Sequence, residues 1–169
     1  MKAAFVAAAV LALWVGSAGA RSATPACTGA QLAGSFKGIA GSAGAGNISY
    51  ALVLRNRSHD SCTIYGLPSV RLIGKDGRLL PTKAVRRSPS SMAIVLVTLA
   101  PGQSARATAR FSPDVPGVGE PTQGTRCEPV AYRLRVKVQG AGTTTVPITP
   151  PTSVCEHGRM LFVNYALVR

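Results

Sequence analysis

The sequence predicts an all-β protein, and three observations support that class. Short apolar segments of strand length recur along the chain, several of them in alternation with polar residues. Gly and Pro turns separate these segments, and no long stretch carries the 3.6-residue period of an amphipathic helix. Four cysteines supply two expected disulfides. Together these features predict an antiparallel, immunoglobulin-like β-sandwich of about seven to eight strands with two disulfides.

Side-chain alternation and turn residues define the individual strands. Residues 48–55 alternate with Tyr50 on the inward face, and residues 132–138 alternate with Tyr132 on the inward face. Residues 93–99 form a continuous apolar run, which is typical of a buried strand. The predicted strands are residues 48–55, 70–74, 79–80, 93–99, 104–111, 132–138, 143–148 and 160–167.

The first part of the chain, residues 1–20, has the composition of a secretory signal peptide. A positive start at Lys2 precedes an apolar run over residues 3–15 and a small-residue ending at Ala20. An uncleaved membrane anchor is the alternative, but the run is shorter than the roughly 20 apolar residues that span a bilayer. We therefore expect cleavage after Ala20, which leaves residues 21–169 as a single domain in the extracellular space or at the cell envelope.

A lipid anchor on the first cysteine is the second alternative for the exported chain. Lipoprotein processing requires an aliphatic residue three positions before the modified cysteine, and Thr24 occupies that position before Cys27. Lipidation would also leave an odd number of cysteines outside the cytosol. The sequence therefore favours a protein secreted without a lipid and without a membrane span.

Export makes the four cysteines a disulfide framework, since thiols oxidise outside the cytosol. Three connectivities are open to four cysteines, and none is fixed by the sequence alone. We favour Cys27–Cys62 with Cys127–Cys155, because sequential pairing closes two loops of moderate length. Both histidines lie close to a cysteine, which raises the alternative of zinc. No Cys-x-x-Cys pair is present, so we predict no metal site.

Basic side chains on the outward faces of the predicted strands are the one feature that suggests binding. The formal charge at pH 7 is +13, with only six acidic residues. If the basic strands are neighbours, these side chains form a panel for an anionic envelope polymer or anionic lipid headgroups. The alternative is a solvated face that discourages strand pairing. The candidate anion-binding residues are Arg55, Arg57, Arg106, Arg110, Arg133, Arg135 and Lys137.

The sequence contains no recognisable catalytic or cofactor motif, which predicts a non-enzymatic protein. His59 and His157 both fall in predicted loops, and the nucleophile motif Gly-x-Ser-x-Gly is absent. The glycine-rich residues 38–46 lack the Gly-Lys-Ser/Thr ending of a phosphate-binding loop. Aromatic residues are not interleaved among the arginines, which argues against nucleic acid as a partner. The sequence thus favours a secreted protein that binds an anionic envelope component or a protein partner. The alternative function is a secreted protease inhibitor with its reactive loop in residues 112–126.

Two short motifs connect the sequence to a known family. The first is Cys-Thr-x-x-Gly-x-Pro over residues 62–68, and the second is Leu-x-Pro-Gly-x-x-Ala over residues 99–105. Together with the cysteine order, they resemble the domain of unknown function 4232 of secreted and lipoprotein-type actinobacterial proteins. The resemblance covers roughly residues 27 to 163. It implies a β-sandwich outside the membrane, and it carries no established activity that could be transferred to residues of this chain.

Overall fold

The computed structural model describes residues 23–88, 94–122 and 126–168. The predicted signal peptide, residues 1–20, lies outside the described residues. Within them the chain forms eleven strands, a 3-10 turn at Gly29–Gln31 and one further helical turn at Cys155–Gly158. The strands are β1 Leu32–Gly38, β2 Ile48–Asn56, β3 Cys62–Tyr65, β4 Ser69–Gly74, β5 Lys83–Arg86, β6 Leu96–Leu99, β7 Ser104–Phe111, β8 Ala131–Lys137, β9 Thr143–Thr152, β10 Arg159–Phe162 and β11 Ala166–Leu167.

Most strands belong to one extended sheet in the order β4-β8-β9-β1-β2-β7-β10-β5, with β11 also paired to β7. β3 and β6 form a separate two-stranded sheet. The β1–β9 and β5–β10 pairs are parallel, and the other pairs are antiparallel. The predicted all-β class and the two disulfides are thus confirmed. The antiparallel sandwich of seven to eight strands is not, because the sheet is mixed and has more strands.

One of the two parallel pairs involves β9, which lies between β8 and β1. Residues 143–147 and Thr152 of β9 pair with β8, and Ile148 and Thr149 pair with β1. Proline has no N–H to donate to a continuous ladder, and β9 contains prolines at 147, 150 and 151. Both ladders of β9 are therefore interrupted, and the strand joins the β4–β8 part of the sheet to the β1–β2–β7 part.

The core lies between the inward faces of these strands, as the alternation predicted. β2 buries Tyr50, Leu52 and Leu54, and β7 buries three alanines and Phe111. Small alanines on β7 leave room for an aromatic cluster, in which ring centroids lie 5.1 to 6.4 Å apart. Aromatic pairs at such distances add about 0.5–1.5 kcal/mol each beyond the area they bury. The cluster comprises Phe36, Tyr50, Phe111 and Phe162.

Several details of the strand predictions are wrong. Residues 79–80 form only an isolated bridge at Leu79, residues 160–167 divide into β10 and β11, and β1, β3 and β5 were not predicted. Tyr132 faces outward and is 37% exposed, because an irregularity between Ala131 and Arg133 interrupts the β8–β9 pairing and re-aims this side chain. The predicted buried strand 93–99 is in its described part a four-residue strand, β6, that buries only alternate residues. Leu96 on its outer face is 63% exposed, since β6 packs one side against the core.

Two disulfides tie irregular segments to the sheets. Cys27–Cys62 joins the N-terminal segment to β3 with a Cα–Cα distance of 4.8 Å. Cys127–Cys155 joins the segment before β8 to the turn before β10, at 5.5 Å. This is the pairing that the sequence favoured. The second disulfide also holds the chain segments of Glu128 and His157 next to each other, because each of these residues lies within two positions of a bridged cysteine.

Candidate functional site

The predicted basic residues fall into two groups on the outer surface of the sheet. On β8, Arg133, Arg135 and Lys137 alternate with buried residues and are exposed. The register of the neighbouring strand places Arg71 of β4 directly opposite Arg135. We call Arg71, Arg133, Arg135 and Lys137 the β4–β8 basic face.

The second group lies on the antiparallel β2–β7 pair. Arg106 is opposite Val53, and Arg110 is opposite Ser49, so both project on the same side as Arg55. We call Arg55, Arg106 and Arg110 the β2–β7 basic face. Two strands, β9 and β1, separate it from β8. At about 4.8 Å per strand the two faces are about 14 Å apart along the sheet. The condition stated for a basic panel, that basic strands are neighbours, is met by β2 with β7 but not by β8 with either of them.

Two of the predicted anion-binding arginines hold loops in place. The Arg55 Nε donates a hydrogen bond to the Gly102 carbonyl oxygen at 3.0 Å. Arg57 lies beyond the end of β2, and its Nε donates to the Ala30 carbonyl oxygen at 3.0 Å. In both arginines one guanidinium N–H is therefore already bonded to a backbone carbonyl oxygen of a neighbouring loop. The β4–β8 basic face has no such hydrogen bonds to the described residues.

The β4–β8 basic face also lacks ionic partners within the described residues. All six acidic residues of the chain are described, and the ion pairs they form involve other cations. Asp76 pairs with Arg78, and Glu156 pairs with Arg159. Like charges directly opposite each other in a sheet are destabilising. Among the described residues, the face is therefore a concentration of positive charge without counter-charge at ion-pair distance.

A second site, which the sequence did not predict, is built around a buried carboxylate. The Glu120 side chain is 2% exposed. Its Oε2 accepts hydrogen bonds from the Gly117 N–H at 2.6 Å and the Glu156 N–H at 2.9 Å. Its Oε1 accepts a third, short bond from the His157 N–H. One carboxylate thus fixes the residues 117–120 loop against the turn that follows Cys155.

That turn, Cys155–Gly158, has an uncommon backbone conformation. Glu156 and His157 have φ of 55° and 57°, in the left-handed region that non-glycine residues rarely adopt. Gly158 follows at φ 75°, and a Cβ there would overlap the Pro81 carbonyl. The left-handed turn directs two successive N–H groups at the Glu120 carboxylate. The carboxylate in turn stabilises a backbone that would otherwise be strained.

His157 completes the cluster with a third polar side chain, Glu128. The His157 Nδ1 lies 3.6 Å from Glu120 Oε1 and 3.6 Å from Glu128 Oε1. The His157 Nε2 lies 3.0 Å from the Val118 carbonyl oxygen. Glu128 is 12% exposed, whereas His157 is 60% exposed. The cluster therefore opens to solvent on its histidine side.

The two carboxylates of this cluster differ in pKa. Burial acts to raise the pKa of Glu120, but the backbone hydrogen bonds from His157, Gly117 and Glu156 outweigh it, and the pKa lies below its usual value. Burial, followed by the nearby charge and hydrogen bonding of Glu120, raises the pKa of Glu128. The environment therefore keeps Glu120 ionised and disfavours the ionised form of Glu128.

The sequence offered a partial signal for this cluster. The histidine beside a cysteine in Cys155-Glu156-His157 suggests zinc, but the cysteine is consumed by the disulfide. The two carboxylates come from elsewhere in the chain, and their approach depends on the Cys127–Cys155 bridge and the left-handed turn. Neither the turn conformation nor this long-range approach has a signature in local sequence.

The predicted inhibitor loop, residues 112–126, is described except for residues 123–125. Ser112 Oγ accepts a hydrogen bond from the Val115 N–H at 2.8 Å and donates one to the Val115 carbonyl at 3.1 Å. These bonds fold the start of the loop back on itself. Arg126 is exposed beside the disulfide. The inhibitor hypothesis stays a prediction.

Fold and site define a disulfide-braced all-β protein with two separate basic faces and a buried carboxylate–histidine cluster. The chain belongs to the family described as "Domain of unknown function (DUF4232)", whose sequence model matches residues 27–161. The resemblance drawn from the two motifs is thereby confirmed. No curated protein and no solved structure matches the chain. In the described parts of the chain, no helix has the length and apolar content to cross a bilayer.

Proposed function

We propose that this protein is exported and acts without catalysis, by binding a phosphodiester-rich polymer or anionic lipid surface of the cell envelope through its β4–β8 basic face. One observation carries the proposal. Four cations are gathered on two paired strands with no carboxylate within ion-pair distance in the described residues, although every acidic residue is described. An external anion would supply the missing counter-charge.

The position of β8 in the sheet supports a binding role over a protective one. Charged side chains commonly blunt edge strands and so discourage aggregation. β8 is not an edge strand, because β4 and β9 pair with it on both sides. The three positive charges on β8 therefore do not protect an open edge, whereas Arg71 lies on β4, the end strand of the sheet. These cations repel one another, and an anionic ligand that neutralises them would remove that repulsion.

The geometry of the face suits an extended polyanion. Alternate residues of a strand lie about 6.7 Å apart, so Arg133, Arg135 and Lys137 form a straight row of three cations. Arg71 widens the row at its centre. A linear polymer or a lipid surface meets the whole row at once, whereas a single small anion meets only part of it.

Export rests on two supporting features. Residues 1–20 have the charged start, apolar run and small-residue ending of a signal peptide. The described residues contain two disulfides and no free cysteine, as expected for a protein that folds in an oxidising compartment. Recovery of the protein with residues 1–20 attached and its cysteines reduced would contradict this part of the proposal.

The decisive test compares two variants that remove equal charge from the two faces. The first changes Arg133, Arg135 and Lys137 to Ser. The matched control changes all three residues of the β2–β7 basic face to Ser. With about 1 kcal/mol for each cation near an anionic surface, the first variant should bind roughly 100-fold more weakly. The control should stay close to the unmodified protein, and thermal unfolding should verify that both variants are folded.

Two ligands and a salt series complete the experiment. Vesicles with phosphatidylglycerol, compared with phosphatidylcholine vesicles, test a lipid surface, and soluble poly(glycerol phosphate) tests a polymer. Binding should weaken steeply with salt, because screening limits such attraction to about 8 Å at physiological ionic strength. Salt-independent binding, or equal losses in both variants, would refute the basic face as the binding surface.

A further inference from the structure

Three hydrogen-bond acceptors lie close together in the carboxylate–histidine cluster: His157 Nδ1, Glu120 Oε1 and Glu128 Oε1. The His157 Nε2 lies 3.0 Å from the Val118 carbonyl oxygen. A carbonyl oxygen only accepts, so Nε2 must carry the hydrogen of this bond. In a neutral imidazole the other nitrogen, Nδ1, then has a lone pair. That lone pair faces one oxygen each of Glu120 and Glu128.

The lone pairs of Glu120 are nearly all occupied by backbone donors. Its Oε2 accepts two N–H groups, from Gly117 and Glu156. Its Oε1 accepts one N–H group, from His157. A carboxylate oxygen offers about two acceptor positions, so the backbone donors leave one position on Oε1. This is the oxygen that lies 3.6 Å from the His157 Nδ1. The protonated Glu128 carboxyl competes with a metal ion for the Glu120 carboxylate.

The separation of these atoms is too long for hydrogen bonds and close to that of ligands sharing an ion. Hydrogen bonds between nitrogen and oxygen span about 2.7–3.2 Å. In a tetrahedral zinc site, Zn–N of about 2.0–2.1 Å and Zn–O of about 2.0–2.2 Å place neighbouring ligand atoms about 3.4 Å apart. Both Nδ1–carboxylate distances here are 3.6 Å. A shift of about 0.2 Å would bring them to the zinc geometry.

We propose that His157 Nδ1, Glu120 Oε1 and Glu128 Oε1 form a binding site for a divalent transition-metal ion, with Zn²⁺ the best fit. The three residues each place one ligand atom within 4.8 Å of the other two. Imidazole suits zinc, whereas Mg²⁺ and Ca²⁺ take oxygen ligands in sets of six or more. The Val118 carbonyl orients the ring through Nε2, which is the usual arrangement for a histidine that binds metal.

The surrounding structure preorganises the three ligands. Glu128 directly follows Cys127, and His157 lies two residues after Cys155, so the disulfide ties both segments together. Glu120 is fixed by its three backbone hydrogen bonds. His157 is 60% exposed and lines a shallow cleft of about 680 Å³, so solvent reaches the histidine side of the cluster. Water would complete the coordination there.

The test uses the purified, untagged protein after treatment with a chelator, titrated with Zn²⁺ in a calorimeter. The informative variants are His157→Asn, which keeps a residue that tolerates positive φ, and Glu128→Gln. The matched controls are His59→Asn, which removes the other, exposed histidine, and Glu156→Gln, which removes a neighbouring carboxylate that is not a ligand.

We expect one Zn²⁺ per chain in the unmodified protein and in both controls. His157→Asn and Glu128→Gln should each weaken Zn²⁺ binding by at least about 100-fold. Loss of a residue that only orients a metal ligand lowers metal affinity by up to about 100-fold, so loss of a ligand itself should cost at least as much. Zn²⁺ at about 100 times its dissociation constant should raise the melting temperature by roughly 5–10 °C in the unmodified protein. Mg²⁺ should not.

Two results would overturn the proposal. The first is a dissociation constant weaker than about 1 mM in the unmodified, folded protein. The second is Zn²⁺ binding that both His157→Asn and Glu128→Gln retain. A loss of Zn²⁺ binding supports the proposal only if the variant unfolds in a cooperative transition like that of the controls. This criterion distinguishes removal of a metal-binding side chain from unfolding of the variant.

Discussion

Replacement of Glu120 by Gln tests whether one buried carboxylate holds the 117–120 loop and the left-handed turn together. The substitution keeps the side-chain shape and removes the charge. In the Gln side chain the carbonyl oxygen can replace Oε2 and accept from Gly117 and Glu156. The amide NH₂ then occupies the place of Oε1, where it faces the His157 N–H. Two donors would point at each other.

The expected cost follows from that geometry. One charge-assisted hydrogen bond disappears, at about 1.5–3 kcal/mol, and a buried donor loses its partner, at about 1–3 kcal/mol. The sum is about 2.5–6 kcal/mol of unfolding free energy, a large part of the roughly 5–15 kcal/mol that stabilises a typical domain. At about 2–4 °C per kcal/mol for a chain of this size, the melting temperature should fall by about 5–24 °C.

Urea unfolding with intact disulfides and a chelator present measures this cost without any contribution from metal. Glu156→Gln is the matched control, since its side chain is 42% exposed and forms one surface ion pair with Arg159. That control should cost less than about 1 kcal/mol. If Glu120→Gln loses no more stability than Glu156→Gln, the carboxylate does not hold the turn and the reasoning fails.

Three further predictions concern the disulfides, the turn and the tyrosines. Replacing Cys27 and Cys62 by Ala should cost about 3.5–4 kcal/mol in urea unfolding, from the entropy of the loop that the bond closes; a loss under about 1 kcal/mol would contradict this. Gly158→Ala should lower the melting temperature more than an Ala substitution at an exposed glycine, because its Cβ would overlap a neighbouring proline carbonyl. Burial raises the pKa of Tyr50 and of Tyr165, so the native state keeps protons that the unfolded chain releases. Stability should therefore fall as the pH rises above about 10, and Phe at both positions should reduce that slope in urea unfolding.

The sequence predicted the parts of the fold that depend on local pattern. Alternation over residues 48–55 and 104–111 identified the buried faces of β2 and β7, because a strand that packs one side on the core leaves a period of two. It failed at Tyr132, where an irregular register re-aims the side chain. Parallel pairing of β1 with β9 was also invisible, since it joins segments more than a hundred residues apart.

The candidate sites show the same division between local and long-range information. Outward projection of Arg133, Arg135 and Lys137 follows from alternation along one strand. Their closeness to Arg71 depends on the β4–β8 register, and their separation from the β2–β7 basic face depends on strand order. The cluster around Glu120 could not be predicted, because it requires a disulfide and a left-handed turn to join three distant segments.

The most direct test of the proposed binding surface is heteronuclear NMR of the labelled protein during titration with poly(glycerol phosphate). We predict that the largest amide shifts will occur in residues 69–74 and 131–137, the two strands that display the unpaired cations. These shifts should reverse when salt is added. Equal shifts in residues 48–56 and 104–111, or shifts that resist salt, would contradict the assignment of the β4–β8 basic face as the site.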